Sequence, residues 1–75
     1  MRTFYQFIMS YRGKLVDDDE SRLAEWIFNE HQFPKYSTSY DEISRYLEMN
    51  SPFINALSVF DTLWDVYHSQ DKGNI

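Results

Sequence analysis

Aromatic and aliphatic residues recur at α-helical spacing in four separate segments of this chain. In the first segment, the residues at positions i, i+3, i+4 and i+7 are Phe4, Phe7, Ile8 and Tyr11, which share one face of a helix. The period-two alternation of apolar and polar residues that is typical of β-strands is missing from the sequence. The spacing therefore predicts an all-α fold in which apolar helix faces pack on one another.

Capping residues indicate where the first two helices begin. Thr3 opens a T-x-x-Q capping box, and Gly13 supplies the backbone freedom that stops the first helix after about residue 12. Asp18 or Asp19 is a suitable N-cap for a second helix over 20–31, because carboxylates are favoured at the positive end of the helix dipole. The expected inner face of this second helix consists of Leu23, Ala24, Ile27 and Phe28.

The last two helices also have clear start signals. Ser39 begins an S-x-x-E capping box that opens a helix over 40–49. The apolar stripe of this third helix consists of Tyr40, Ile43, Tyr46 and Leu47. Ser51 can cap a final helix over 52–69, with Pro52 at its first position. This longest helix is apolar around much of its circumference, so we expect it in the middle of the bundle.

The short length of the chain makes the composition of its core decisive for stability. Residues 1–70 are expected to form a single domain, and 71–75 a frayed C-terminal tail. Phe, Tyr and Trp make up 19% of the sequence, and each ring can bury on the order of 150–250 Å². There is no cysteine, which excludes disulfides, thiolate nucleophiles and cysteine-based metal sites. The aromatic core therefore has to stabilise the domain without a disulfide.

The charge balance bears on the choice of partner. The formal net charge is −5 at pH 7, and the Lys and Arg residues are scattered, so nucleic-acid binding would need a local basic patch. The residues that could form such a patch are Arg12, Lys14, Lys35 and Arg45. No apolar run approaches the roughly 18 residues that cross a bilayer. We expect a cytoplasmic protein without a cofactor, either a monomer or a weak homodimer.

The ionisable residues have structural explanations that make catalysis a poor interpretation. His31 and His68 are expected in the last turns of their helices, where an imidazolium interacts well with the final carbonyls. Asp61 and Asp65 stand four residues apart on a helix and are expected to be solvated surface charge. The acidic run 17–20 lacks the alternating ligands and turn glycine of an EF-hand loop. We therefore predict neither an enzyme nor a dedicated metal site.

Two groups of residues are candidates for contacting a partner. Met9 and Trp26 are left over when the apolar stripes of the first two helices are assigned to the core. Further leftover apolar residues are Met49, Ile54, Val59 and Val66. Lys35 and Tyr36 lie with hydroxyl residues on the connector before the third helix, where they could hold an anion or a peptide carboxylate. The alternatives remain open: the leftover residues belong to the core, and the connector is a capped loop with Tyr36 packed on the bundle.

Several sequence motifs carry a resemblance to a known family. They are Phe33-Pro34-Lys35, Ser37-Thr38, Tyr40-Asp41-Glu42-Ile43, Tyr46-Leu47-Glu48, Phe60-Asp61, Trp64-Asp65 and Tyr67, with Phe4-Tyr5, Phe7 and Tyr11-Arg12 near the start. With these motifs the chain resembles the YozE family of small bacterial proteins over nearly its whole length. The resemblance implies a compact SAM-like bundle of four or five short helices with a longer C-terminal helix, and it implies no catalytic residues. The acidic run 17–20 and Tyr36 depart from the family pattern.

SAM-like folds dock proteins in some families and bind nucleic acids in others, so the resemblance implies a binding module. The negative net charge and the leftover apolar residues favour a protein–protein interaction module. The alternative is a nucleic-acid-binding module that uses a local basic patch.

Overall fold

The computed structural model describes residues 2–13, 18–50 and 52–73, with side chains as far as residue 70. Its helices are α1 (Phe4–Ile8), a 3₁₀ turn (Met9–Tyr11), α2 (Asp19–Asn29), α3 (Tyr40–Asn50) and α4 (Ala56–Gly73). No β-strand occurs in these three ranges, which confirms the all-α prediction. The Cα radius of gyration is 11.7 Å, close to the value of about 11 Å typical of a compact chain of this length.

The first helix begins as predicted but is shorter than predicted. The Thr3 hydroxyl accepts a hydrogen bond from the Gln6 backbone N–H at 3.2 Å, and the Gln6 side chain accepts one from the Thr3 N–H at 3.0 Å. After Ile8 the α-helix tightens into the 3₁₀ turn, a common way for a helix to end. Gly13 then turns the chain with a φ of +73°, a conformation that glycine adopts without steric cost.

The next two helix starts are capped, one of them differently from the prediction. The Asp18 carboxylate accepts a hydrogen bond from the Ser21 N–H at 2.8 Å, which confirms Asp18 as the N-cap of α2. At α3 the Ser39 hydroxyl accepts from the Glu42 N–H at 3.2 Å. The Ser39 N–H donates to the Ser37 hydroxyl at 3.0 Å, so this cap is shared between two serines instead of forming the predicted reciprocal box.

One hydrophobic core joins the helices. Its buried members are Phe4, Phe7, Ile8, Leu23, Ala24, Ile27, Phe33, Ile43, Leu47, Phe60, Leu63 and Tyr67. The Phe4 ring meets Phe60 edge-on with 5.2 Å between the centroids. The Tyr67 hydroxyl donates to the Arg2 carbonyl at 2.6 Å, so the start of the chain is held against α4. The predicted apolar stripes therefore form the core or, in the case of Tyr11 and Tyr46, pack half-buried against it, with Phe28 and Tyr40 as exceptions.

Phe28 was predicted to face the core, and this prediction is wrong. Its side chain is 44% exposed because it lies at the edge of the α2 stripe, beyond the helices that cover Leu23 and Ile27. The Arg12 guanidinium lies over the Phe28 ring, 3.4 Å from its centroid, and donates to the Glu25 carboxylate at 2.9 Å. A cation stacked on the ring face gives Phe28 a favourable surface position.

The final helix starts later and runs further than predicted. Residues 53–56 form a turn in which the Ala56 N–H donates to the Phe53 carbonyl at 3.1 Å, and the helical pattern begins when the Val59 N–H donates to Asn55. Pro52 therefore precedes the helix instead of starting it, and Ser51 lies outside the described residues. α4 packs against α1, α2 and α3, which confirms its predicted central place. No helix in the described ranges combines the length and apolarity needed to span a bilayer.

Candidate functional site

A shallow groove of about 500 Å³ runs between α3 and the connector that precedes it. We call it the connector–α3 groove, and its lining residues are Gln32, Pro34, Ser39, Asp41, Glu42, Arg45, Tyr46 and Met49. Since Asp41, Arg45 and Met49 follow one another at four-residue spacing on α3, they form one row along the helix. The groove therefore offers acidic, basic and apolar side chains in order along one wall.

The groove rests on a row of aromatic rings. The Tyr46 centroid lies 5.7 Å from that of Phe33, in an edge-to-face arrangement, and 6.1 Å from that of Trp26. Phe33 is buried and in turn meets the Tyr5 ring edge-on at 6.2 Å. Because these rings belong to α1, α2, the connector and α3, movement of Tyr46 would disturb contacts with several elements. The apolar wall of the groove is thus fixed by the core.

Acidic groups outnumber basic groups around the groove. Asp41 and Glu42 occupy the first turn of α3, and neither makes an ion pair with the described part of the chain. Burial raises the pKa of the Tyr46 phenol, and the neighbouring Glu30 carboxylate raises this pKa further. Asp41 and Glu42 line the groove against the single guanidinium of Arg45, whereas Glu30 and Lys35 lie outside its lining.

The structure places the predicted contact residues in different surroundings. Met9 and Trp26 are half-buried and pack against the core, so neither is a free surface residue. The Lys35 ammonium lies 5.4 Å from the Tyr5 ring centroid. Tyr36 is 93% exposed and does not pack on the bundle, which overturns the alternative in which it does. Lys35 and Tyr36 follow Pro34 directly, beside the groove but outside its lining.

Among the other leftover apolar residues, burial separates two pairs. Val59 and Val66 are half-buried against the core, as expected if α4 is central. Met49 is 79% exposed and Ile54 is 101% exposed. Met49 lines the connector–α3 groove, whereas Ile54 stands on the turn before α4. Sequence spacing grouped Met49 with several similar residues, although its four-residue separation from Arg45 was a signal that the two share one face of the third helix.

Most described cations lie against aromatic rings. Arg2 lies 5.1 Å from the Phe7 centroid and also donates to the Gln70 side chain. Arg22 lies 4.7 Å from the Phe53 centroid and pairs with Asp19 at 3.3 Å. Arg12 and Lys35 have the ring contacts given above, and Lys14 lies outside the described residues. Of the residues proposed for a basic patch, Arg12 and Lys35 thus lie against different rings, those of Phe28 and Tyr5.

The acidic run and the histidines form no recognisable reactive centre in the described residues. Asp18, Asp19 and Glu20 line a second shallow groove with polar residues of α4 and the turn before it, while Asp17 is not described. No three His, Cys, Asp or Glu side chains come together as metal ligands in the described ranges. α2 ends at Asn29, so His31 lies in the following turn, and α4 continues past His68.

A tyrosine–aspartate hydrogen bond joins α3 to α4. The Tyr40 ring stacks on Phe60 at 5.3 Å, and its hydroxyl donates to the Asp61 carboxylate at 2.5 Å. This hydrogen bond is the main reason why the pKa of the Tyr40 phenol is raised above its ordinary value of 10.0, with smaller contributions from burial and from the charges of Asp61, Asp41 and Asp65. The folded state therefore prefers the neutral phenol.

The Tyr40 pKa predicts a loss of stability in alkali. Below pH 10.0 the phenol is neutral in both the folded and unfolded states, so its contribution is complete there. As the pH rises above 10.0 and through the folded-state pKa, the unfolded chain ionises first and the contribution is lost. We expect the difference in urea midpoint between wild type and Tyr40→Phe to shrink over this range. A difference that stays constant or grows with pH would contradict the assignment.

The all-α bundle, with its long final helix packed against the other helices, is consistent with a SAM-like fold, and the comparisons with known proteins agree. The family model for the YozE SAM-like fold matches residues 3–69. The UPF0346 protein YozE of Bacillus subtilis is 40% identical over 73 residues, which cover 97% of this chain and 99% of that protein. The UPF0346 protein YuiB of Lactococcus lactis is 45% identical over 65 residues, or 87% of this chain and 94% of the relative.

A UPF0346 protein of Oceanobacillus iheyensis is 68% identical over 47 residues, a match that spans 63% of each chain. The chain belongs to the YozE SAM-like family, as the resemblance of its motifs predicted. The descriptions of the family and of these relatives indicate no catalytic family.

Proposed function

We propose that this domain is a non-catalytic protein–protein interaction module and that the connector–α3 groove is its contact surface. The observation that carries the proposal is the exposure of Met49, whose large apolar side chain is 79% exposed on the wall of a groove. Fully burying a side chain of this kind is worth about 1.5–3 kcal/mol, so a partner that covers Met49 gains binding energy from it. An exposed apolar group beside polar ones is the usual composition of such a surface.

The support beneath the groove favours binding without rearrangement. Tyr46 is held by Phe33 and Trp26, so a partner would not have to order this wall when it binds. In this proposal Trp26 contributes by packing against the Tyr46 ring and holding it in position. Tyr36, which is 93% exposed just past Pro34, extends the contact surface along the connector.

Nucleic-acid binding is the second candidate, and the placement of the cations counts against it. Phosphate binding relies on several Lys and Arg side chains that face one surface and neutralise adjacent charges. In the described residues Arg12, Arg22 and Lys35 each lie over a ring, and two of them also pair with carboxylates. Arg45 lies in the groove with Asp41 and Glu42.

The proposal predicts that Met49 matters for binding and that Ile54 does not. Short peptides selected on the wild-type domain from a random displayed library serve as probes, with affinity measured by fluorescence anisotropy. We expect Met49→Ala to weaken the selected peptides about tenfold, because part of a buried methionine side chain is lost. Ile54→Ala is the matched control, since it removes an even more exposed apolar side chain that does not line the groove.

Two results would overturn this function. One is the selection of no peptide whose binding depends on Met49. The other is a mixed-sequence DNA or RNA duplex that binds in an electrophoretic shift assay with the steep loss of affinity on added salt that phosphate contacts produce.

A further inference from the structure

We infer that the segment recognised by the connector–α3 groove is a basic–apolar peptide, in which a Lys or Arg stands a short distance from a large apolar residue. This inference rests on the proposed function and specifies the chemistry of the partner. It follows from the order of side chains along α3, from the charge around the groove and from the net charge of the whole chain.

The apolar and acidic ends of the groove define two separate subsites. Met49 lies with Tyr46 and Pro34 among the lining residues and offers an apolar contact. Asp41 and Glu42 lie two turns earlier on the same helix. With a rise of 1.5 Å per residue, the two subsites are about 10–12 Å apart along the helix axis. A single extended segment spans that distance with about three or four residues.

The charge of the groove selects a cationic segment over an acidic one. Two carboxylates, those of Asp41 and Glu42, line it against one guanidinium, that of Arg45. Asp41 and Glu42 make no ion pair within the described residues, so a Lys or Arg from a partner would not have to displace an internal cation. The net charge of −5 also attracts basic segments and repels acidic ones at long range.

Arg45 adds a constraint on the middle of the segment. It stands four residues from Asp41 and four from Met49, between the two subsites. A cation placed there would be repelled, whereas a backbone carbonyl or a polar acceptor could receive a hydrogen bond from the guanidinium. The expected occupant therefore has a cation at one end, acceptors in the middle and an apolar residue at the other end.

Synthetic peptides of the pattern Lys-x-x-Leu, with small polar residues between, test this inference directly. The matched probes replace the lysine with glutamine or with glutamate and keep the leucine. Exposed ion pairs are weak, so we expect the lysine peptide to bind about two- to fivefold more tightly than the glutamine peptide at low salt. The glutamate peptide should bind more weakly than both.

Two double variants locate the source of the preference. Asp41→Asn with Glu42→Gln removes the acidic subsite and should make the lysine and glutamine peptides bind equally. Asp65→Asn with Glu20→Gln removes the same charge from places outside the groove, so the preference should persist. A preference lost equally in both double variants would overturn the inference, because the attraction would then come from net charge.

The failure of this inference can be told apart from failure of the proposed function. If all three peptides bind equally and their binding still depends on Met49, the groove docks proteins but does not select cations. If library-selected peptides that need Met49 lack Lys and Arg, the inference is also wrong. If no peptide binding depends on Met49, the proposed function itself fails.

Discussion

Replacing Phe4 with alanine should lower the free energy of unfolding by about 3–5 kcal/mol, the usual cost of deleting a fully buried aromatic ring. Phe4 is 0% exposed and sits where α1 meets α4. The ring centroids that surround it at 5.2–5.6 Å belong to Phe7, Phe60, Trp64 and Tyr67. The substitution removes contacts with each of these rings and leaves a cavity that rigid neighbours cannot fill.

The size of the domain makes this loss severe. Native domains have about 0.05–0.15 kcal/mol of stability per residue, which gives about 4–11 kcal/mol for a chain of this length. Urea denaturation followed by far-UV circular dichroism would measure the loss, and a fully unfolded variant would agree with it. Phe4→Leu keeps most of the volume and should cost much less. Tyr36→Ala, at a 93% exposed position, should leave the midpoint almost unchanged.

The second large effect is expected from a pair of neighbouring residues on α3. Leu47 is 0% exposed, and Leu47→Ala should cost about 2–5 kcal/mol of stability. Met49 is two residues further along the same helix and 79% exposed, so Met49→Ala should change stability by no more than about 0.5 kcal/mol. The comparison controls for helix position, because both substitutions introduce alanine near the end of α3.

Equal losses from the two α3 variants would show that Met49 is packed in solution. The connector–α3 groove would then offer no exposed methionine side chain to a partner. A small loss of stability from Leu47→Ala would show that Leu47 is not part of the buried core. The expected result, a large loss at Leu47 and almost none at Met49, also makes Met49→Ala a usable probe. Any weakening of peptide binding in that variant could then be attributed to the groove and not to unfolding.

The groove depends on residues that serve the fold at the same time. Phe33 is in the buried core, while the next residue, Pro34, lines the groove. Tyr46 and Leu47 are neighbours on α3, the first facing the groove and the second buried. Groove-lining residues and core residues thus alternate along the same short segments, as expected in a domain too small to assign them to separate elements.

Local sequence determined the helical class, most helix starts and most of the core. Thr3, Asp18 and Ser39 cap helices because their side-chain oxygens reach backbone N–H groups three residues away, which needs no tertiary contact. The apolar stripes form the core because helical pitch alone decides which side chains share a face. The motifs also pointed to the family that the comparisons then identified.

Tertiary structure decided where those faces end and which leftover residues meet. Phe28 and Met49 both lie at the edges of apolar stripes, and only the positions of neighbouring elements leave them exposed, one beneath Arg12 and the other in the groove. The groove itself joins Pro34 of the connector to residues of α3 across a turn whose geometry depends on Phe33 packing into the core. Spacing along a helix gives the direction of a side chain, whereas exposure depends on what packs against it, and that is a property of the whole assembled bundle.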